Sequence, residues 1–153
     1  MPDRLYVSAT PIRRRDRILE HPGSAVLGVW SFLLGLVLIV DMALPGFRVS
    51  PLLNLVPDPA LVWLAGVMLA GGALVLVALL RNWGRVDTSW RFERGGWWLL
   101  FGGWSLISAL VFITSPQSVL AWGSYAAFAV SGFIRGQAVR LTEERTRIVK
   151  DQE

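Results

Sequence analysis

The sequence contains no cysteine and a single histidine, His21, and only 17% of its 153 residues are charged. Without cysteine the chain can form neither a disulfide nor a thiolate metal site, and it has no cysteine nucleophile. A lone imidazole is a poor metal site and cannot supply both ligands of a bis-histidine haem. We therefore expect no bound cofactor or metal ion.

Ionisable residues are also scarce inside the long apolar stretches. Membrane enzymes, pumps and ion channels normally place such residues within their spans, where they are costly and so need a function. Asp41 is the one candidate, near an end of the first stretch. There it either reaches water or pairs with Arg48, or else it binds a proton or cation. No phosphate-binding, dinucleotide-binding or hydrolase motif occurs. We therefore expect a protein without enzymatic activity.

Apolar residues make up 54% of the chain, and its mean hydropathy is +0.51. They are concentrated in four stretches, at 24–44, 60–80, 97–114 and 118–134. The first two are long enough for helices that cross a bilayer, and the other two are at the lower limit of length. The sequence therefore predicts an all-α integral membrane protein with four transmembrane helices.

The basic residues predict the orientation of these helices. Of the 15 Lys and Arg residues, 14 lie before the first stretch, between the second and third, or after the fourth, and Arg48 is the exception. The positive-inside rule then places both termini and the segment 81–96 in the cytoplasm. This divides the chain into a basic segment at 1–23, a transmembrane domain at 24–135, and a charged cytoplasmic tail at 136–153 that extends the last helix. Because topology accounts for the net charge of +4, we expect no nucleic-acid binding.

Two groups of side chains are predicted to lie at lipid headgroup level. An arginine cluster in the N-terminal segment favours anionic lipids of the inner leaflet or an acidic partner, and it comprises Arg13, Arg14, Arg15 and Arg17. Interfacial tryptophans form the second group, namely Trp63, Trp83, Trp90, Trp97, Trp98 and Trp122. Trp30 and Trp104 lie deeper and are expected to pack between helices. Asp87 and Glu93 are expected to pair with neighbouring arginines of their own segment.

Small residues recur at intervals of three or four in every predicted span. Helix association inside lipid depends on close packing, so these faces mark where helices can meet. They contain Ser24, Gly28, Ser31 and Gly35, then Gly66, Ala70 and Ala73, then Gly102, Ser105 and Ala109, and finally Ser124, Ala127 and Ser131, with Gly132 and Gly136 as a GxxxG pair at the inner end of the last span. The faces either join the spans into a left-handed four-helix bundle or join the chain to a second molecule. A further alternative is that the serines line a wetted path.

Arginine outnumbers lysine 14 to 1, as is typical of high-GC bacterial or phage genomes. Together with the basic start RRRDRILEHPGSA, the four spans and the tail RLTEERTRIVKDQE, the layout resembles small membrane proteins encoded by phages of high-GC bacteria. Some of those proteins are holins or holin-like, although two or three spans are commoner among holins. The resemblance covers the whole chain in layout, includes no diagnostic motif and transfers no site residues.

Two functional hypotheses follow for a protein of a bacterial-type inner membrane. The first is a non-catalytic interaction protein, acting as an accessory subunit, scaffold or regulator of a membrane assembly. It would bind membrane proteins, a second copy or lipid through the small-residue faces and the basic segments. The alternative is a holin-like protein that oligomerises until it permeabilises the membrane.

Overall fold

The computed structural model describes residues 22–44, 56–80 and 86–150, and in the last range it describes the side chains of 90–141. These residues form four helices, α1 (Pro22–Ala43), α2 (Asp58–Leu80), α3 (Val86–Thr114) and α4 (Val119–Lys150). The predicted all-α class is confirmed. Several predicted contact residues lie outside the described part of the chain, namely Arg13, Arg14, Arg15, Arg17, Arg48 and Trp83.

Local signals in the sequence explain where these helices begin and end. α1 begins at Pro22, where proline sacrifices no helical hydrogen bond because N–H groups of the first turn have no partner in the helix. α2 begins at Asp58, whose carboxylate interacts favourably with the positive end of the helix dipole. α3 ends at Thr114, and a short turn containing Pro116 leads into α4. The shortness of this turn makes α3 and α4 antiparallel neighbours.

Three of the four helices can cross a membrane by length and composition. They are α1, α2 and the Trp90–Thr114 part of α3. α4 is less apolar because glycine, serine and tyrosine interrupt its apolar half and Arg135 follows it. Its helix nevertheless continues without a break to Lys150. A fourth crossing and the orientation of the termini remain predictions.

The helices pack in chain order. Extensive interfaces join α1 to α2, α2 to α3 and α3 to α4, and no comparable interface joins α1 to α4 within the described ranges. The core lies along α2 and α3, where Met68, Leu100, Trp97 and Trp104 are almost completely buried. α1 packs mainly on α2 and leaves most of its apolar side chains at the surface. The handedness of the predicted bundle stays a prediction.

Candidate helix-interaction faces

The small face of α1 packs against α2 of the same chain at what we name the α1–α2 crossing, formed by Gly28, Ser31, Gly35 and Gly72. A Cβ at Gly72 would stand 2.6 Å from the backbone nitrogen of Phe32 and 2.7 Å from the carbonyl oxygen of Gly28. A Cβ at Gly35 would likewise meet the backbone of α2 at 2.7 Å. Backbone therefore lies directly against backbone, and this predicted face is used within the chain rather than presented to a second molecule.

A second close approach joins α2 to α3 and involves glycines that the sequence did not single out. A Cβ at Gly96 would stand 2.9 Å from the carbonyl oxygen of Gly71, and one at Gly103 would stand 2.5 Å from the sulfur of Met68. Gly71, Gly96 and Gly103 each belong to a Gly-Gly pair. A Gly-Gly pair places small residues on two faces of a helix. The pairs in the sequence therefore indicate that a close approach to another helix is possible, but only the packing shows which face makes it.

Two other predicted faces lie at the molecular surface, and we name them the open faces. Gly66 and Ala70 are exposed on α2, and Gly102 is exposed on α3. A Cβ at Gly66 or Gly102 would meet no atom within 4 Å. Ser105, predicted to share the face with Gly102, is half-buried. The chain's own described helices therefore leave the open faces uncovered.

The serines of α4 are also at the surface, and their hydroxyl groups bond within their own helix. Ser124 Oγ donates to the carbonyl of Leu120 at 2.6 Å, and Ser131 Oγ donates to the carbonyl of Ala127 at 2.8 Å. Such bonds are the usual way for serine to satisfy its hydroxyl in an apolar helix. These two hydroxyl groups therefore donate to backbone carbonyls of α4, rather than to water or a solute in a wetted path.

α3 and α4 meet at an interface made of large rings, which we name the α3–α4 seam. Trp98 packs edge-on against Phe101 and Phe133, with ring centroids 5.9 and 5.6 Å apart. The predicted GxxxG pair lies here, but a Cβ at Gly132 or Gly136 would come no nearer than 3.4 Å to a neighbouring atom. That distance marks the start of ordinary van der Waals contact. The pair thus packs within the chain and less tightly than the α1–α2 crossing.

An ion pair lies across the same seam. Arg135 donates through Nη2 and Nε to Glu93 Oε1, at 3.0 and 3.2 Å, and Glu93 is only 8% exposed. The expectation that Glu93 pairs with arginines of its own segment was wrong. Glu93 lies on the face of α3 that packs against α4, and its partner there, Arg135, is 42 positions away in the sequence. Asp87, the other acid of that expectation, lies where side chains are not described.

A hydrogen bond also links α1 directly to α3. Trp104 Nε1 donates to Ser31 Oγ at 3.1 Å, and both residues are completely or almost completely buried. The Trp104 ring stacks on Tyr125 of α4 at 5.8 Å between centroids. The expectation that Trp104 packs between helices is confirmed. The same expectation for Trp30 was wrong, because α1 packs mainly on α2 and leaves Trp30 55% exposed on another face.

The predicted interfacial tryptophans differ in their surroundings. Trp63 and Trp98 are 71% and 39% exposed, and Trp90 is half-buried. Trp122 packs edge-on against a phenylalanine ring of α3 and donates through Nε1 to the carbonyl of Pro116 at 3.3 Å. Trp97 is buried in the core, so protein rather than lipid surrounds its ring.

The described side chains include no group of three or more His, Cys, Asp or Glu residues that could hold a metal ion. Asp41 is buried near the end of α1, so its carboxyl group lies within protein rather than in open solvent. The described residues thus form an all-helical protein in which three helices are long and apolar enough to span a membrane. No protein-family profile, curated protein or solved structure matches the chain.

Proposed function

We propose that the protein is a non-catalytic membrane interaction protein, an accessory subunit, scaffold or regulator that binds another membrane protein or a second copy of itself. The observation that carries this proposal is the pair of open faces. Gly66 and Gly102 leave space at the surface of two helices that are apolar enough to span a membrane. The proposed location is a bacterial-type inner membrane with both termini in the cytoplasm, where the N-terminal arginines contribute lipid or partner contacts.

The physical basis is the way helices associate in lipid. Lipid tails are as apolar as leucine, so burial of apolar surface gains little, and association depends on close approach of backbones. Gly66 lies beside the exposed side chains of Val62 and Trp63, which form a raised edge next to the glycine. A partner helix with a small residue opposite Gly66 would approach the backbone of α2 closely enough for dispersion and Cα–H···O contacts.

The test is the mass of the complex that the full-length protein forms in its native membrane. The protein is extracted in mild detergent, and the complex is measured by light scattering and mass spectrometry for wild type, Gly66→Leu and Gly102→Leu. A leucine at an open face should weaken the complex about tenfold, because inserting a larger side chain into a packed interface costs on the order of 1 to 3 kcal/mol. Gly23→Leu is the matched control, since Gly23 is exposed and also has open space around it.

Two outcomes contradict the proposal. One is a complex whose mass neither Gly66→Leu nor Gly102→Leu changes while circular dichroism shows an intact helical protein. The other is an abrupt loss of membrane potential at a set time after regulated expression in bacteria, which is the behaviour expected of a holin-like protein. Continued growth with intact potential supports the interaction proposal.

A further inference from the structure

The connection between α3 and α4 carries large apolar side chains at the molecular surface, and we name residues 112–120 the α3–α4 tip. Ile113 and Leu120 are 75% and 89% exposed, the highest values among the large apolar side chains that the structure describes. Phe112 and Val119 beside them are also exposed. Contact between apolar surface and water is unfavourable in proportion to the area. The tip is therefore poorly suited to project into water.

Much of the backbone of the α3–α4 tip is paired within the chain. Ser115 N–H donates to the carbonyl of Val111 at 2.8 Å, and Ser118 N–H donates to the carbonyl of Ser115 at 3.0 Å. Pro116 has no N–H, and its carbonyl accepts a hydrogen bond from Trp122 Nε1 at 3.3 Å. Backbone that lies next to lipid has to be paired in this way, because hydrocarbon offers no hydrogen-bond partner.

The lengths of α3 and α4 determine how far the tip reaches. The ion pair of Glu93 and Arg135 joins the two helices at the level where charged residues begin, since residues 95–134 contain none. At about 1.5 Å per residue, α3 rises about 32 Å from Glu93 to Thr114, and α4 extends about 24 Å from Val119 to Arg135. The hydrocarbon core of a bilayer is about 30 Å thick. With the ion pair at one boundary of the core, the tip lies at the other boundary.

We propose that the α3–α4 tip lies in the membrane rather than in water, with Ile113, Val119 and Leu120 in contact with the acyl chains of one leaflet. Gln117 and Ser118 are exposed at the end of the tip, and they are polar without being charged. Side chains of this kind suit the boundary between acyl chains and headgroups, where apolar and polar surroundings meet. The tip thus binds lipid through its sides and reaches the headgroups through its end.

The apolar surface of the tip continues along α4. Leu120, Ala127 and Ile134 are seven residues apart and share an exposed face of this helix. α4 packs along α3, whose Trp90–Thr114 part is long and apolar enough to cross a membrane. Lipid that surrounds the exposed face of α4 therefore also reaches the tip. The inference rests on the proposed membrane location, and Leu120 lies on a different helix from the open faces.

The test measures which reagent reaches the tip. Because the chain has no cysteine, a single introduced cysteine carries one nitroxide spin label at a known position. Full-length Ile113→Cys and Leu120→Cys are labelled and reconstituted in vesicles of phosphatidylcholine and phosphatidylglycerol. Electron paramagnetic resonance compares collisions of the label with oxygen, which concentrates in hydrocarbon, and with a polar nickel chelate, which stays in water. We expect oxygen collisions to exceed nickel collisions severalfold at both positions.

Three further positions calibrate the measurement. Leu36→Cys, exposed on α1, should also favour oxygen, since α1 is long and apolar enough to cross a membrane. Lys150→Cys, at the end of α4, should favour the nickel chelate severalfold. Gln117→Cys should give a ratio between these two, because its label lies at headgroup level. Circular dichroism checks that each labelled variant keeps its helices.

Three results would overturn the proposal. A preference for the nickel chelate at Ile113 and Leu120, with oxygen preferred at Leu36, would place the tip in water while α1 stays in the membrane. Few collisions with either reagent and an immobile label would show that protein covers the tip, whether a partner or the segment 45–55. A preference for the nickel chelate at Leu36 as well would remove the membrane location itself and this inference with it.

Discussion

The α1–α2 crossing and the α3–α4 seam hold apolar helices together in different ways. At the crossing, Gly35 and Gly72 let one backbone lie directly on the other, and a Cβ at either position would collide with backbone atoms. At the seam, rings of Trp98, Phe101 and Phe133 fill the space, and a Cβ at Gly136 would be at ordinary contact distance. One interface depends on the absence of side chains, and the other depends on their size.

This difference determines which substitutions each of the two interfaces should tolerate. Backbone cannot move aside without displacing a whole helix, whereas side chains can adopt another rotamer. The crossing should therefore tolerate no added atom, while the seam should tolerate small additions but not the loss of a ring or of the ion pair. The same reasoning separates glycines that define the fold from glycines such as Gly66 and Gly102, which are available to a partner.

The largest effect should come from adding one methyl group at the crossing. Gly72→Ala places its Cβ against Phe32 and Gly28 backbone and should lower the free energy of unfolding by about 3 kcal/mol. Gly136→Ala is the matched change at the seam and should change it by no more than about 1 kcal/mol, because alanine also has the better helix propensity. Unfolding of the detergent-solubilised protein, followed by circular dichroism, measures both. Equal destabilisation by the two variants would remove the distinction between the interfaces.

A smaller effect is expected from the ion pair of the seam. Arg135→Gln leaves the carboxylate of Glu93, whose side chain is only 10% exposed, without its guanidinium. The change should cost about 2 kcal/mol, a value reduced because the Arg135 side chain is 24% exposed. Glu93→Gln should cost less, since the longer arginine can extend towards water. In a double-mutant cycle the two changes together should cost less than their sum. Strict additivity would show that the pair contributes no coupling.

Much of the fold could be predicted because a long run of apolar residues directly indicates a helix that is long and apolar enough to cross a membrane. The predicted spans 24–44 and 60–80 agree closely with α1 and α2. The third span was predicted to begin at 97, yet α3 begins at Val86, because its first turns are polar and helical at the same time. Apolar content identifies the part of a helix that enters lipid, and it does not detect a polar helical end.

The pairing of small faces could not be predicted, because every span offers several such faces and the sequence carries no distance information. Gly28 and Gly35 were identified as a packing face, but their partner Gly72 was not. Glu93 was assigned to local arginines, since contacts close in sequence are the only ones that spacing reveals. Trp30 was expected to be buried because of its depth along the helix, but depth along a helix does not determine which side faces a neighbour.

The smallest effect we predict concerns the hydrogen bond by which α3 reaches the crossing. Ser31→Ala leaves the buried Trp104 N–H without its acceptor and should lower the free energy of unfolding by about 1 kcal/mol, the usual size for interhelical bonds of this kind. Ser131→Ala is the control, because Ser131 is exposed and its hydroxyl donates to its own helix, so its removal should be close to neutral. If Ser31→Ala is as harmless as the control, backbone contact alone fixes the crossing. A measurable cost would show that α3 helps to hold α1 in place on α2.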